Sequence, residues 1–325
     1  MKFAVLVSLV SMSWLMTLVS ANAAPSRFLF MGIEYVRLED WADANRFHGR
    51  WLKPKEDYKL TSSSGHSLVF SVDSRKCFID GVVVWLSHPI ALRQNSSCVA
   101  WKDITTAVQP LLSPARYPRG KKIRSICLDA GHGGKDPGNK EGSQFEKKYT
   151  LLLAKEISGL LAAAGLKVSL TRNRDTYVEL DSRPEFANRR KADLFVSLHF
   201  NSADVNGVKG SEVYCMTPAY ASSTNARGEG SETGTYPGNR FDSRNVVLAY
   251  EIQKSLVNNL GIEDRGVRRA RFAVLRGAEM PSALVEAGFM THPSESKRIY
   301  DPAWRRELAR SIVAGILSYK RQMEL

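Results

Sequence analysis

Apolar residues in the larger, C-terminal part of the chain follow two alternating periods, one typical of strands and one typical of helices. Short apolar runs predict strands at 126–130, 166–170, 193–199, 211–216, 272–275 and 283–287. Helical spacing and end signals predict helices at 149–164, 185–191 and 248–260 and from Asp301-Pro302 onward. Strands that alternate with helices predict an α/β fold, with a mostly parallel, twisted sheet and helices on both faces.

Shorter segments precede this pattern and predict a small β-rich α+β module over residues 27–112. Its strands are predicted at 33–36, 58–61, 68–72, 77–79 and 82–86, and its helices at 38–47 and 101–112. Residues 113–122 contain Pro114, Pro118 and Gly120, a composition typical of a linker. The sequence therefore predicts a second domain at 123–325, with a long polar loop inside it at 217–245.

Residues 1–23 have the composition of a secretory signal. Lys2 precedes a mostly apolar run at 3–19, and Ala21-Asn22-Ala23 forms an A-x-A cleavage site. A membrane anchor is the alternative, but serines interrupt the apolar run and no strongly basic segment follows it. We therefore expect a cleaved signal peptide, a periplasmic or secreted protein, and no stable membrane insertion after cleavage.

The charge of the chain is basic, with 46 Lys and Arg against 33 Asp and Glu. Removal of the signal takes away Lys2 alone, so the formal net charge falls from +13 to +12. An exported cationic protein suits an anionic polymer, a cell wall or a membrane surface. Export argues against nucleic acid as a partner, whereas an ordinary basic surface accounts for the charge equally well.

The cysteines are four: Cys77, Cys98, Cys127 and Cys215. Export makes a disulfide between Cys77 and Cys98 the expected pairing, because both lie in the N-terminal module. Cys127 and Cys215 lie inside apolar runs, where cysteine behaves as a small hydrophobic residue. The absence of a C-x-x-C pair argues against a thiolate zinc site.

One stretch carries the first candidate chemistry. Residues 126–134 read Ile-Cys-Leu-Asp-Ala-Gly-His-Gly-Gly, an apolar run that ends in a glycine-rich turn around His132. Such a turn presents His132 at the carboxyl end of a strand, where open α/β sheets bind ligands. A core strand with a hydrogen-bonded histidine is the alternative. A phosphate loop fits less well, because Gly134-Lys135 is followed by Asp136.

Two further polar residues end or interrupt predicted strands. His199 closes the apolar run at 193–199, and Glu286 lies inside the run at 283–287. An ionised carboxylate in an apolar run needs a partner, and a metal with an activated water is one such partner. Two histidines and a carboxylate form the ligand set of a catalytic zinc, although the chain has no H-E-x-x-H motif.

The order of these motifs resembles that of zinc-dependent N-acetylmuramoyl-L-alanine amidases, the type 3 cell-wall amidases. The matching pieces are LDAGHGGKDPG at 128–138, EK at 146–147, LTR at 170–172, RPEFAN at 183–188, ADLFVSLHFN at 192–201 and LVEAGF at 284–289. The resemblance runs from 123 to about 319. It implies a secreted hydrolase that cleaves the amide between N-acetylmuramic acid and L-alanine in peptidoglycan.

The resemblance also implies the roles of individual residues. His132, Glu146 and His199 match the family's zinc ligands, and Glu286 matches its catalytic glutamate, which serves as general base and acid. Glu146 has an alternative role, because Ser143 three residues earlier would make the pair a helix capping box. Glu141 is a rival ligand, but it lacks the following lysine and helix.

Two residues near these motifs keep more than one interpretation. Arg183 is either a substrate clamp or a structural charge on a helix, and the structural role is favoured. Asn201 either orients a ligand or closes a turn. An activator protein is compatible with the resemblance, and the sequence does not identify one.

Other functions compete with hydrolysis of this amide. A cell-wall-binding protein could keep the fold without catalysis, and a zinc peptidase would cut within the stem peptide instead. The presence of all four catalytic positions favours the amidase over the binding protein.

The N-terminal module has a weaker resemblance of its own. Its layout is similar to that of the N-terminal module of copper amine oxidases, through VRL at 36–38, FIDGVVV at 78–84 and VAW at 99–101. This implies an accessory role, such as wall binding, and nothing in the module suggests that it binds copper.

Overall fold

The computed structural model describes residues 25–205, 207–224 and 234–324, and the predicted signal peptide lies outside them. The N-terminal strands are β1 (Arg27–Phe30), β2 (Ile33–Arg37), β3 (Phe47–Lys53), β4 (Asp57–Ser62), β5 (Ser67–Ser71), β6 (Lys76–Ile79), β7 (Val82–Trp85), β8 (Ala91–Arg93) and β9 (Ser96–Ala100). The helices of this part are α1 (Leu38–Ala44), α2 (Trp101–Asp103) and α3 (Gln109–Leu112), with a π-helical turn at Ile104–Val108 between the last two.

The C-terminal part supplies the remaining elements. Its strands are β10 (Ser125–Ala130), β11 (Lys140–Glu141), β12 (Gln144–Phe145), β13 (Lys167–Leu170), β14 (Leu194–Asn201), β15 (Ser211–Met216), β16 (Asp264–Ala270) and β17 (Ser282–Phe289). Its helices are α4 (Glu146–Ala163), α5 (Ser182–Arg189), α6 (Asp242–Leu260), α7 (Ala273–Arg276), α8 (Pro293–Tyr300) and α9 (Pro302–Glu324), with a 3₁₀ turn at Pro237–Phe241.

The largest sheet has 11 strands, in the order β13-β10-β14-β17-β15-β16-β7-β6-β5-β4-β3. Strands β13, β10, β14 and β17 are mutually parallel; β15 is antiparallel to β17 and parallel to β16. The C-terminal part is therefore the mostly parallel α/β sheet that the sequence predicts. A second sheet, β1-β2-β9-β8, belongs to the β-rich N-terminal module.

Helices cover both faces of the C-terminal sheet. Along β14, Leu194, Val196 and Leu198 belong to the core that contains α4, α6 and α9. Phe195 points to the opposite face, where it shares a smaller core with Ala187 of α5 and with α7. Because both faces are buried, β14 is apolar at nearly every position, which is why its sequence predicts a strand so clearly.

Some predicted elements differ from those observed. Residues 272–275, predicted as a strand, contain the start of the short helix α7, so that prediction was wrong. Strand β16 was missed because Arg265, Arg268 and Arg269 interrupt its apolar pattern. These arginines find acidic or carbonyl partners on neighbouring elements, information that a single segment does not contain.

The predicted loop at 217–245 is shorter than expected. The 3₁₀ turn begins at Pro237 and α6 begins at Asp242, while residues 225–233 lie outside the described part of the chain. Helix α6 ends at Leu260, where the sequence predicts its end, and Gly261 follows in the left-handed conformation. Among the described residues, no helix combines the length and the apolar composition that crossing a membrane requires.

The N-terminal module and the C-terminal sheet are joined edge to edge. Strand β7 pairs in parallel with β16 through Val84 and Val267. Two hydrogen bonds flank this pairing: the Val83 amide donates to Asp264 Oδ2 at 2.8 Å, and the Trp85 indole donates to the carbonyl of Arg265 at 2.9 Å. The module therefore covers the edge of β16. The division into 27–112, a linker at 113–122 and 123–325 stays a prediction.

Buried contacts support the same junction. Arg269, which is 1% exposed, donates to the carbonyl of Thr106 at 2.7 Å and to that of Met216 at 3.3 Å. The hydroxyl of Tyr250 on α6 donates to the carbonyl of Ile79 at 2.9 Å. Buried polar groups need such partners, so separating the two parts would leave several of them unsatisfied.

The predicted disulfide does not form. Cys77 lies in β6 of the large sheet and Cys98 in β9 of the small sheet, and both are buried free thiols. Cys77 instead donates to the carbonyl of Val84 at 3.3 Å. The prediction was wrong because proximity in sequence does not imply that two strands share a sheet. Cys127 and Cys215 are buried free thiols, as predicted.

The junction gives a stability prediction. A Cβ on Gly266, where φ is +94°, would lie 2.8 Å from the carbonyl oxygen of Val83, whereas one on Gly261, where φ is +60°, would meet open space. We expect Gly261→Ala to lower the free energy of unfolding by about 1 kcal/mol through backbone strain. Gly266→Ala should cost about 1–3 kcal/mol more through overpacking. Denaturant titration of both variants tests this, and equal losses would contradict the close packing of β7 on β16.

Candidate metal centre

The turn after β10 presents His132 beside the end of β14. His132 itself has φ of 61°, a left-handed conformation that is uncommon for residues other than glycine. The preceding Gly131 lies against His199, and a Cβ at this position would overlap the imidazole ring. Glycine is therefore required here for the close approach of β10 to the histidine on β14.

Arg183 holds this turn in place from α5. Its Nη1 lies 2.9 Å from Oδ1 of Asp129 and 3.0 Å from the carbonyl oxygen of Ala130, and its Nη2 donates to the carbonyl of His132 at 3.0 Å. Arg183 is 2% exposed and Asp129 is fully buried. Arg183 thus has the structural role that the sequence favoured, but inside the protein rather than on a helix surface.

Glu146 is the first residue of α4 and is 1% exposed. Its Oε1 lies 3.0 Å from Nδ1 of His199 and accepts the amide of Phe200 at 3.0 Å. Its Oε2 lies 3.1 Å from Nε2 of His132 and accepts the amide of Asn139 at 2.9 Å. Burial alone would raise the pKa of this carboxyl, but hydrogen bonds to both histidines and their charge hold it well below its ordinary value.

The start of α4 excludes one alternative for Glu146. The residue that caps α4 is Phe145, with no side-chain capping bond, so the capping-box interpretation was wrong. The rival Glu141 is exposed on β11. Ligand atoms of His132, Glu146 and His199 all lie within 4.8 Å of one another. Two imidazoles and one carboxylate at this spacing suit a zinc ion with a coordination position left for water.

A second carboxylate orients His132. Oδ2 of Asp136 lies 2.8 Å from Nδ1 of His132, and its Oδ1 accepts the amide of Gly138 at 3.0 Å. A histidine that donates its Nδ1 hydrogen to a carboxylate keeps the Nε2 lone pair free for a metal. Sequence reasoning assigned no role at this site to Asp136, although its position four residues after His132 in a tight turn was visible.

Glu286 lies in the middle of the sheet beside this cluster. It pairs with His199 of β14 on one side and with Glu212 of β15 on the other. Its Oε2 is buried and has no hydrogen-bond partner in the described part of the chain. Burial, followed by the negative charges of Glu146 and Glu212, raises the pKa of Glu286 well above its ordinary value. The carboxyl therefore takes up a proton more readily than an exposed one.

Sequence reasoning missed Glu212, which is 3% exposed. Its Oε1 accepts from the Asn201 amide at 2.8 Å and from the Tyr214 hydroxyl at 2.9 Å. Asn201 thus links the end of β14 to β15 through its side-chain amide. A carboxylate within the apolar run at 211–216 was the available signal, the same one that singled out Glu286.

Comparison with known proteins identifies the family. A family described as N-acetylmuramoyl-L-alanine amidase matches residues 126–318, more than half of the chain. The chain belongs to this amidase family. The match spans the sheet, the His132–Glu146–His199 cluster and Glu286, and it confirms the type 3 amidase resemblance. It does not extend to residues 27–112, so their likeness to copper amine oxidases stays a prediction.

Relatives within the family differ in length. The amidase LytC of Bacillus subtilis is 34% identical over 197 residues, which are 61% of this chain and 36% of LytC. The amidase AmiC of Neisseria meningitidis is 33% identical over 230 residues, 63% of this chain and 55% of AmiC. The probable cell wall amidase LytH of Staphylococcus saprophyticus is 27% identical over 297 residues, 90% of each chain. The chain thus matches between about a third and nine tenths of these relatives' lengths.

Solved structures show the same fold in the C-terminal part. The amidase AmiC2 of Nostoc punctiforme has a TM-score of 0.52 and 34% identity, and it covers 62% of this chain and 99% of its own. An amidase from Clostridium difficile 630 has a TM-score of 0.52 and 32% identity, with 61% and 97% covered. These solved chains therefore correspond to this family member's α/β part alone.

The contact between Asp136 and His132 gives a prediction. We expect Asp136→Asn to weaken Zn²⁺ binding about 10- to 100-fold, because the amide orients the imidazole less well than a carboxylate does. Asp175→Asn is the matched control, since Asp175 accepts the Gly134 amide in the same turn but does not contact His132. Competition titration with a zinc-binding dye measures both affinities. A loss in the control as large as in Asp136→Asn would assign the effect to the turn rather than to His132.

Proposed function

We propose that this protein is a zinc-dependent N-acetylmuramoyl-L-alanine amidase that cleaves the amide between N-acetylmuramic acid and L-alanine in peptidoglycan. The observation that carries the proposal is Glu286, whose buried Oε2 has no hydrogen-bond partner among the described residues and which pairs with His199 of the His132, Glu146 and His199 cluster. Burial of a carboxyl costs free energy unless a neighbouring group interacts with it. Membership in the amidase family indicates which bond is cleaved.

The metal would be held by His132, Glu146 and His199. The donor set fits zinc, and Glu146 is already fixed by amides of Asn139 and Phe200, so little rearrangement is needed for binding. When bound, zinc supplies a Lewis acid that activates water and polarises the scissile carbonyl.

Glu286 would move the proton in this reaction. Its Oε2 accepts the proton of the attacking water and then gives it to the nitrogen of the leaving amine, so that L-alanine departs with a neutral amino group. The raised pKa of Glu286 suits the first step, because it makes this carboxylate a stronger base than an exposed one. Glu146 does not fit this role, since it would hold the metal and two backbone amides already donate to its oxygens.

The setting of the reaction follows from the same proposal. We propose that the mature protein is periplasmic or secreted and that residues 27–112 form an accessory module attached to a catalytic domain at 123–325. Its substrate partner is peptidoglycan, and nucleic acid is not a partner. A solved relative with a TM-score of 0.50 and 26% identity, the CwlD amidase of Clostridioides difficile, forms a complex with the GerS lipoprotein. That complex gives a precedent for a protein partner of this chain, and we propose that such a partner would act as an activator.

Digestion of purified peptidoglycan tests the function. We expect release of peptides that begin with the amino group of L-alanine, identified by amino-terminal labelling and mass spectrometry. Activity should disappear after removal of metal with a chelator and return with Zn²⁺, because the ion supplies the Lewis acid.

The same digestion separates the alternatives. A zinc peptidase would leave the muramoyl–alanine amide intact, and a wall-binding protein would release nothing. Undiminished cleavage after verified metal removal would end the zinc proposal.

Substitution of Glu286 tests the proton transfer. Glu286→Gln should keep the fold and the zinc and slow the chemical step about 10²- to 10⁴-fold, because an amide cannot accept the proton. His132→Ala should lose zinc and activity together. Glu185→Gln, on the exposed surface of α5, serves as the control and should change neither.

Two results would count against this role. A Glu286→Gln variant that turns over near the wild-type rate would exclude Glu286 as the base. Loss of zinc from that variant would make Glu286 a ligand instead.

A further inference from the structure

Paired residues on adjacent strands connect the metal centre to two arginines on β16. Glu286 on β17 pairs with Glu212 on β15, and β15 pairs with β16. Two side chains of β16 meet at one oxygen of Glu212: Nε of Arg265 lies 3.1 Å and Nε of Arg268 2.8 Å from Oε2. A single carboxylate oxygen therefore anchors two guanidinium groups near Glu286.

Most of the hydrogen-bonding capacity of these arginines is unused. A guanidinium has five N–H groups. Arg265 donates to Glu212 through Nε, whereas Arg268 is only ion-paired with Glu212, because its Nε makes no hydrogen bond in the described part of the chain. The terminal nitrogens of Arg265 and Arg268 make no hydrogen bond to any residue in the described part of the chain. Their side chains are 27% and 15% exposed, so a ligand can reach them from solvent.

An aromatic ring lies beside each guanidinium group. Arg265 lies 4.9 Å from the ring centroid of Phe289, and Arg268 lies 4.6 Å from that of Trp85. Trp85 belongs to the N-terminal module and is held by its bond to the carbonyl of Arg265. Stacked, pre-oriented guanidinium groups are suited to the two oxygens of a carboxylate.

The spacing between the strands of Glu286 and of the two arginines corresponds to two or three residues of an extended peptide. Strands β17 and β16 are separated by β15, which places their backbones about 10 Å apart at the usual strand spacing. An extended peptide advances about 3.3–3.6 Å per residue. A stem peptide whose first amide lies at Glu286 would therefore bring its second or third residue to the two arginines.

We propose that Arg265 and Arg268, with Trp85 as a supporting wall, form a subsite for a free carboxylate on the second or third residue of the stem peptide. The proposal rests on the proposed function, since it takes the peptide of peptidoglycan as the substrate. Stem peptides carry free carboxylates beyond the first alanine, and amidation removes their charge. The N-terminal module thereby takes part in choosing between acidic and amidated peptides.

Synthetic N-acetylmuramoyl tripeptides test this in the full mature chain. One substrate has both carboxyls free, and two others carry an amide at the second or at the third residue. We expect one of the amidated substrates to show a KM about ten- to hundred-fold higher, with kcat little changed, because the charge-assisted bonds are lost. Arg268→Ala should raise KM by a similar factor for the free acid and remove the preference.

Further variants distinguish recognition of the substrate carboxylate by Arg268 from the contact of Arg268 with Glu212. Arg268→Lys keeps a positive charge beside Glu212 but lacks the planar fork, so it should also lose most of the preference. Trp85→Leu should weaken the preference for the free-acid substrate a few-fold. Arg310→Ala, on the exposed side of α9, is the control and should retain the wild-type preference. Zinc content is measured for every variant.

The possible outcomes are distinct. Equal KM values of the wild type for all three substrates would overturn the subsite and leave the amidase function standing. A fall in kcat on every substrate in Arg268→Ala and Arg268→Lys, with KM and zinc unchanged, would show that the arginine only supports Glu212 and Glu286. A wild type that cleaves none of the substrates or peptidoglycan would overturn the proposed function itself.

Discussion

The ion pair between Arg183 and Asp129 is the contact on which the geometry of the metal centre depends. Both groups are removed from water, so each needs its full set of partners. Asp129 also accepts from the hydroxyls of Thr171 and Ser197, which ties β10 to its neighbouring strands. Loss of one member of such a pair costs about 3–5 kcal/mol. Because Arg183 also binds the carbonyl of His132, the same pair sustains the left-handed backbone of that residue.

Glu146 and Glu286 are two carboxyls of the same site whose surroundings shift their pKa values in opposite directions. Each oxygen of Glu146 accepts a hydrogen bond from a backbone amide and contacts an imidazole, and the pKa of Glu146 is lowered. Glu286 faces other carboxylates, and its pKa is raised. When the surroundings of two carboxyls shift their pKa values in opposite directions, the carboxyls take different roles. One stays an anion and the other carries a proton. Glu212 contributes to this contrast, since its negative charge is one cause of the raised pKa of Glu286.

The sequence predicted the α/β part well because its strands are buried on both faces and its helices have a clear apolar stripe. The turn around His132 and the strand end at His199 were visible for the same reason, whereas the place of Glu146 came from the family resemblance. Strand β16 and Glu212 were not predicted, because their charges are balanced by residues distant in sequence. The pairing of β7 with β16 was likewise invisible, since no local pattern specifies which edge a strand will cover.

That pairing has a consequence for how the chain is made. The bond between Trp85 and Arg265 joins residues 180 positions apart, so β7 is synthesised long before its partner. Until β16 arrives, the N-terminal hairpins end in an unpaired, apolar strand edge of the kind that promotes aggregation. Contacts this distant in sequence also slow folding. A chain that crosses a membrane amino end first would therefore need its export machinery or a chaperone to shield β7 until the last quarter of the protein emerges.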